Sequence, residues 1–541
     1  MKKLIVLLIL LISLDVAAQY TNVKLNSDFV HGEVWIAMNP KNINNLVVGT
    51  IGQTSPQSNM AYFYTLNGGY NWTSGTVFST LAQPGSDPVV VVDTNGFFYY
   101  ICVGNWFIPP PNADKLLCNK SINSGANWNN GTTFGMPAPK MNDMPMACVD
   151  LSHSQFGNNI YVTWTLIDSM NSSNPLDSSY VYFCSSTNQG QTFSIPKRIS
   201  KIAGSASWTN STPEGPVPCT GPNGEIYVTY PYNLKILFTR SLDGGTTWLS
   251  NEIVAANRYT GWYSHHSPVA ACDISNTQYR GNIYICYSDY LSSSYGRDIY
   301  LVRSANGGDN WSTPVKVNND ATAANQEMPW ICVDAVTGYV WIVFYDGRNY
   351  PGSVYDVYVA RSTNGGISFQ NVKVSDNNSK TFSYVWLGDY IGITAKNNKV
   401  RPVWSASTGY ANSNVWTAIV DTFTVGIRNI SSDIPESFSL SQNYPNPFNP
   451  ATKIKFDVGK FQSFGWVPEP SKRLALERQG GIVTLRVFDI LGREIETLVN
   501  ETLQPGTYEV QFDGSNLTSG VYFYQLVSGN YKETKKLLLL K

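Results

Sequence analysis

Six copies of one short phrase recur through the first 370 residues: TLNGGYNW (Thr65–Trp72), SINSGANW (Ser121–Trp128), STNQGQTF (Ser186–Phe193), SLDGGTTW (Ser241–Trp248), SANGGDNW (Ser304–Trp311) and STNGGISF (Ser362–Phe369). Their shared glycines, Gly69, Gly125, Gly190, Gly245, Gly308 and Gly366, fall 55 to 65 residues apart. A period of that size confines the chain to folds that repeat one supersecondary unit. In each copy an Asx side chain (Asn67, Asn123, Asn188, Asp243, Asn306, Asn364) is placed to accept backbone amides further along. The glycine supplies positive φ without steric cost. Alternating strand-like runs flank the phrases, such as IYLVR before Ser304 and NVKVS after Phe369. Each phrase therefore reads as a structural hairpin turn inside a small antiparallel sheet.

The shared pattern S-x-[DN]-x-G-x-[TNS]-[WF] resembles the Asp-box, the bacterial neuraminidase (BNR) repeat of sialidases and other β-propellers. That resemblance implies a propeller of four-stranded blades. Two further strands precede each box, for example QEMPWICVD and then YVWIVFYD. Blades 1 to 6 are expected at Glu33–Thr76, Asp87–Thr133, Asp143–Ser200, Glu214–Ala255, Ser267–Asn318 and Glu327–Ser375. Leu387–Ser407 and the following SNVWTAIV supply three strands of a seventh blade with no box. TNVKLNSD (Thr21–Asp28) is similar to the fourth strands TPVKVNND and QNVKVSDN, so it is expected to pair with Ser413–Asp421 and close the ring. Closure removes exposed edge strands. The expected fold is all-β: a seven-bladed β-propeller closed by the N-terminal strand, with six blades as the alternative, followed by a small C-terminal β-sandwich.

Residues 1–18 read as a secretory signal peptide: Lys2 and Lys3, an apolar run, then Val16-Ala17-Ala18. The apolar run is too short for a stable span, and no other segment is expected to cross a membrane. Charged residues make up only 14% and the net charge is −1, so nucleic acid is not an expected partner. Eight cysteines in an exported chain raise the question of disulfides. Cys102 with Cys118, and Cys272 with Cys286, are the candidate pairs on neighbouring strands. Buried free thiols are the favoured reading.

After a linker at 426–436 the text changes. NYPNPFNP, VFDILGRE, LQPGTY, LTSGVYFY and a basic-apolar tail within 437–541 closely resemble the C-terminal sorting domain of the type IX secretion system. The resemblance implies a partner, the type IX machinery, and a protein secreted or attached to the outer-membrane surface. An insertion at 459–481 lengthens what is normally a short hairpin loop. The propeller domain is then 19–425.

Propellers present ligands on the loops opposite the Asp-box turns. The loops of blades 4 to 6 bring forward Tyr230, Arg258, Trp262, Tyr263, His265, Asp289, Arg297, Asp346 and Arg348 as candidate ligand-binding residues. Aromatic walls with a few polar groups suit a pocket, and blade-locking ion pairs are the competing role for the Asp/Arg sets. Sialidases grip their substrate with three arginines, the first lying before the first box. Here the first arginine of the chain is Arg198, so that triad is broken. Glu214, Asp289, Glu327 and Asp346 remain as weak candidates for a carboxylate-based glycoside hydrolase. A last pattern lies at the entry to the first strands: Glu33, Asp87, Asp143, Glu214, Glu327 and Asp389, with His266 in the remaining blade. Such a collar would raise its members' pKa values or recruit a cation, calcium first; the plainer role is accepting amides of the neighbouring blade. No cofactor is otherwise expected. The leading expectation is a non-catalytic binder of an extracellular glycan or protein, and the alternatives are a glycoside hydrolase or a structural surface component.

Overall fold

The computed structural model describes residues 20–25, 31–54, 57–105, 113–169, 172, 174–207, 209–259, 267–290, 296–320, 322–350, 354–376, 379–382, 388–407, 413–421, 428–431, 434–460, 481–514 and 517–541. The signal peptide, Trp262, Tyr263, His265, His266 and residues 461–480 of the insertion lie outside them. Every regular element among the described residues is a strand. The chain divides into two compact units, Met1–Phe369 with Lys373–Val420, and Gln370–Val372 with Asp421–Lys541.

Seven antiparallel sheets follow one another through the first part of the chain. The first comprises His31–Met38, Leu46–Thr54, Gln57–Thr65 and Thr73–Thr76; the second Pro84–Val92, Phe98–Gly104, Lys115–Ser121 and Thr132–Phe134. The third holds Met141–Val149, Ile160–Ile167, Ser178–Ser186 and Lys197–Arg198, and the fourth Val217–Thr220, Ile226–Tyr232, Lys235–Ser241 and Ile253–Asn257. The fifth holds Val269–Cys272, Ile283–Asp289, Asp298–Ser304 and Val315–Lys316, and the sixth Gln326–Val333, Val340–Asp346, Val354–Ser362 and Gln370–Lys373. The seventh is discontinuous in sequence: Gly392–Lys396, Lys399–Ser407, Ser413–Ile419 and, on its outer edge, Thr21–Lys24. That edge strand runs antiparallel in the register Thr21↔Ile419, Asn22↔Ala418, Val23↔Thr417, Lys24↔Trp416. The Leu25 amide extends the ladder to the Val415 carbonyl, 2.9 Å. No single sheet closes on itself. The first strand of each sheet neighbours the first strand of the next, and that of the seventh neighbours that of the first.

Central strands are buried on both faces, because each sheet is covered by a neighbour on either side. Phe98–Gly104 and Ile160–Ile167 are buried along their whole length. Their sequences are accordingly near-continuous apolar runs rather than alternating ones. All eight cysteines are free thiols. Cys102 stands opposite Leu117 and Cys118 opposite Ile101, so the two thiols are out of register by one residue. Burial pushes the Cys118 thiol up to about 12, which keeps it protonated and unreactive.

The second unit has two four-stranded sheets. One joins Arg428–Ser431, Gly506–Asp513, Ala451–Val458 and Ser439–Leu440; the other joins Glu494–Leu503, Gly481–Phe488, Gly520–Ser528 and Tyr531–Leu539. The segment read as a linker thus supplies a strand, Arg428–Ser431. Ala451–Val458 shows the period-two logic of a half-buried strand: Ile454, Phe456 and Val458 point inward, Lys453 and Lys455 outward. They meet Leu485, Val487, Tyr524, Leu526 and Leu537 of the other sheet in one apolar core. The NYPNPFNP phrase is fixed by Asn443. Its side-chain amide donates to the Pro445 carbonyl and the Thr452 hydroxyl, and its backbone amide donates to the Tyr524 hydroxyl.

Candidate functional site

The six boxes share one hydrogen-bond plan. The leading hydroxyl donates to the Asx oxygen: Thr65 to Asn67, Ser121 to Asn123, Ser186 to Asn188, Ser241 to Asp243, Ser304 to Asn306 and Ser362 to Asn364, all 2.8–3.0 Å. The same hydroxyl accepts the amide of the box glycine, as Gly308 to Ser304 at 2.9 Å. The Asx oxygen also accepts the amide four residues on, as Asn310 to Asn306 at 3.0 Å. Each box glycine then lies against the preceding sheet. The neighbours are Val47 for Gly125, Cys118 for Gly190, Phe183 for Gly245, Phe238 for Gly308 and Leu301 for Gly366. Gly69, in the first sheet, lies against Ile419 and Arg401 of the seventh. An arginine immediately before two boxed serines, and one in the second strand of the seventh sheet, reinforce the joint. Arg240 donates to the Gly307 carbonyl, Arg303 to Gly365 and the fully buried Arg401 to Gly68. These groups satisfy one another locally.

A second buried family of turns escaped the sequence reading. Asp93, Asp150, Asp273 and Asp334, at the ends of first strands, are fully buried and accept amides two residues on. Their signal is the repeated VD or CD ending of those strands. It was visible in the sequence as a strand end only.

The candidate ligand residues of sheets 4 to 6 are mostly engaged within the fold. Tyr230 is fully buried and donates to Glu252, 3.0 Å. Arg258 is buried and donates to the Ser288 carbonyl, 3.2 Å. Asp289 accepts the Tyr259 amide with both oxygens, 3.0 and 2.9 Å, while Tyr259 itself is 72% exposed. Arg297 pairs with Glu327 at 2.9 Å rather than with its sequence neighbour Asp298, which pairs with Lys316 at 2.8 Å. Asp346 is fully buried and is clamped by Arg348 through Nε at 2.8 Å and Nη2 at 2.6 Å. Gln326 donates to the other Asp346 oxygen, 3.2 Å, and accepts from Asn318, 2.9 Å. Burial raises the Asp346 and Glu327 carboxyls, with Arg348 and Arg297 respectively opposing it.

The six collar carboxylates do not occupy one structural position. Glu33 and Asp87 sit at a left-handed bulge residue, φ 55° and 52°, where the first strand's register slips. In the third and sixth sheets that position is Met144 and Met328, so Asp143 and Glu327 precede it. Gly215 and Gly388 have the same sign of φ, which puts Glu214 before and Asp389 after it. Glu33, Asp87 and Asp143 are all at least 96% buried. The Asp87 amide donates to Glu33 Oε2, 3.2 Å. Burial, then the charges of Asp87 and Asp389, raise the Glu33 carboxyl well above its ordinary range. Burial, then Asp389, raises Asp87 to about 7. Beside this rim lies a small pocket lined by Met144, Met146, Met328, Trp330, Asp389 and Tyr390, among others. Trp35, Trp330 and Tyr390 meet edge-on or tilted beside it, ring centres 4.7–5.8 Å apart. Among the described residues no group of three or more His, Cys, Asp or Glu side chains is placed to hold a metal ion.

Comparison with known proteins gives one family. A model described as the secretion system C-terminal sorting domain matches residues 442–540. Comparison with curated proteins finds no match. Among solved structures the chain is similar to an ulvan lyase of a polysaccharide lyase family, with 11% identity over 74% of this chain and 96% of that one, TM-score 0.47. It is also similar to a Hadza microbial sialidase, with 13% identity over 69% and 73%, TM-score 0.40. A third is the NanB sialidase from Streptococcus pneumoniae, with 11% identity over 74% and 70%, TM-score 0.38. No helix among the described residues is long and apolar enough to cross a membrane. The second unit thus carries a type IX sorting domain, and the protein is a secretion substrate that ends secreted or attached to the outer-membrane surface.

Proposed function

We propose that the first unit is a seven-bladed propeller, its ring closed by Thr21–Lys24, that binds an extracellular glycan or protein and does not turn it over. The seven sheets are the blades, and the boxes are the joints between them. One observation carries the non-catalytic reading: three of the four candidate carboxylates, Asp289, Glu327 and Asp346, are held by internal donors. Glycosidases set two carboxyl groups about 5–10 Å apart across the scissile bond, one protonated and one ionised. Here Asp289 is held by the Tyr259 amide, Glu327 by Arg297 and Asp346 by Arg348. Ligand contact falls instead to the aromatic run that begins at the exposed Tyr259 ring and continues through Trp262, Tyr263 and His265. Aromatic faces of this kind offer area at low entropic cost.

The test is a glycan array and a hydrolysis screen run side by side on the full chain. Binding without turnover is expected, and Tyr259→Ala should weaken it by about tenfold, or about 1.4 kcal/mol. Turnover that Asp289→Asn or Asp346→Asn abolishes at unchanged melting temperature would replace this reading with the hydrolase. Loss of both binding and turnover in the wild type would favour a structural surface component.

A further inference from the structure

Four acids converge at the rim where the first strands of the seventh, first, second and third sheets meet: Asp389, Glu33, Asp87 and Asp143. Each is a like-charge neighbour of the others. The groups facing them are named easily. The first sheet offers Glu33; the second offers Asp87, Tyr100 and Cys102; the third offers Asp143; the fourth offers Glu214; the seventh offers Asp389 and Tyr390. No Lys, Arg or His acts on Glu33, Asp87 or Asp143 among the described residues. Glu327, the collar member nearest a cation, is turned away to Arg297. The Tyr390 hydroxyl is turned to the Pro88 carbonyl, 2.9 Å.

Within this arc Asp87 is 97% buried, and its Oδ2 has no hydrogen-bond partner. Hydrogen bonds with Ser86, the Met144 amide and Glu33 reach this carboxyl, but burial and the charge of Asp389 outweigh them, and a buried charge so poorly compensated neutralises instead. A proton on the carboxyl supplies the compensation without any further ligand. We propose that the arc is a proton-held clasp: the carboxyl groups of Glu33, Asp87 and Asp143 share protons beside Asp389, and the four first strands stay together because those protons are retained. When the protons leave, adjacent sheets carry facing negative charges at their closest approach, and the rim loosens.

The sign follows from linkage. Glu33, Asp87 and Asp143 are held above their unfolded values, so the folded state binds the extra protons. The stabilisation is complete below about pH 4, the unfolded carboxylate range, and is lost as pH rises through the folded value, about 7 for Asp87. Groups elsewhere that are held low, such as Asp320 and Asp243, act at the acid end and oppose this trend only there.

The experiment follows the melting temperature of the full chain between pH 5 and pH 8.5, with and without a chelator, for wild type, Asp87→Asn and Glu33→Gln. The amides mimic the protonated acids. Wild type should lose melting temperature steadily as pH rises, with no effect of chelator. Asp87→Asn should flatten that slope and melt above wild type at pH 8.5 while matching it within a few degrees at pH 5. An unfolded variant at pH 5 would shift the test to the infrared carbonyl stretch of protonated carboxyl groups in the wild type, which should persist at pH 7 in the native protein and vanish on unfolding. A melting temperature that rises with pH, a slope unchanged in both variants, a native protein with no such stretch at pH 7, or a drop on chelation would each overturn the proposal. The last of these would put a cation where we place the proton. None of these outcomes bears on whether the outer loops bind a ligand.

Discussion

The box turns and the axial rim are both repeated polar features of the first unit, and they behave in opposite ways. A box resolves its polarity within eight residues. One hydroxyl, one Asx oxygen and three amides match donor to acceptor, and the glycine is free to lie on the preceding sheet. Repeating it six times multiplies a stable unit. The rim repeats an acid, not a matched set. Each copy is harmless alone, but successive first strands bring the copies together, and no cation among the described residues intervenes. Repetition therefore strengthens a feature satisfied inside the repeat and penalises one whose partner is its own copy.

The largest effect should come from forcing a side chain into a box joint. A Cβ on Gly308 would stand 2.2 Å from Phe238 Cε1, at a φ of 95°. Gly308→Val combines overpacking with a left-handed backbone and should cost about 3 kcal/mol or more, read as a fall in the urea midpoint of the first unit. A loss under about 1 kcal/mol would mean that the boxes are not joints between sheets. Next comes the closing joint against an internal one. Arg401→Met strands the Gly68 carbonyl that the buried guanidinium serves and should cost about 2–3 kcal/mol. Arg240→Met removes the same kind of bridge at an internal joint, but its partner Asp309 is half exposed, so about 1 kcal/mol is expected. Equal losses in the two variants would erase the distinction between closing and internal joints. The smallest effect belongs to Asp243→Asn, which turns the one aspartate box into the form of the other five. Burial acts upward on this carboxyl, but hydrogen bonds from the Thr247 hydroxyl and amide, then Ser241, together outweigh it and hold it at about 2. Its extra stabilisation is present above about pH 4 and is lost as pH falls toward 2. The variant should lie within about 0.5 kcal/mol of wild type at pH 7 and lose that acid limb, measured by denaturant titration from pH 2 to 7. A loss above about 1 kcal/mol at pH 7 would show that the charge, and not the shared Asx geometry, holds the turn.

Box positions were legible because they are local, and the pairing of TNVK with SNVWTAI because TNVK is similar to the fourth strands of other sheets. A turn's chemistry lies in adjacent residues, and strand alternation fixes which face is buried. The rim acids were legible as residue types but not as an aligned set, because a one-residue bulge decides which residue occupies the left-handed position. That position is Glu33 and Asp87 in two sheets and Met144 and Met328 in two others. The loop residues of sheets 4 to 6 were least legible. Whether a carboxylate faces a ligand depends on donors that arrive from elsewhere: the Tyr259 amide reaches Asp289 across 30 residues, and Arg297 reaches Glu327 across 30 more, bypassing Asp298 beside it. Sequence adjacency names an ion pair only when side-chain direction agrees with it, as it does for Asp346 and Arg348.

The pairing of Thr21–Lys24 with Trp416–Ile419 has a consequence for synthesis and export. The two partners stand almost four hundred residues apart in the chain, so the last contact of the first unit is also its least local one, and such contacts form slowly. Until residue 419 is available, the seventh sheet offers an unpaired edge and the N-terminal segment has no place to dock. A chain interrupted anywhere before that point carries a ready template for association with other chains. Delivery of the whole length is therefore a condition for solubility, and any carrier that threads this protein must shield an open seam until almost the last of the first unit has passed.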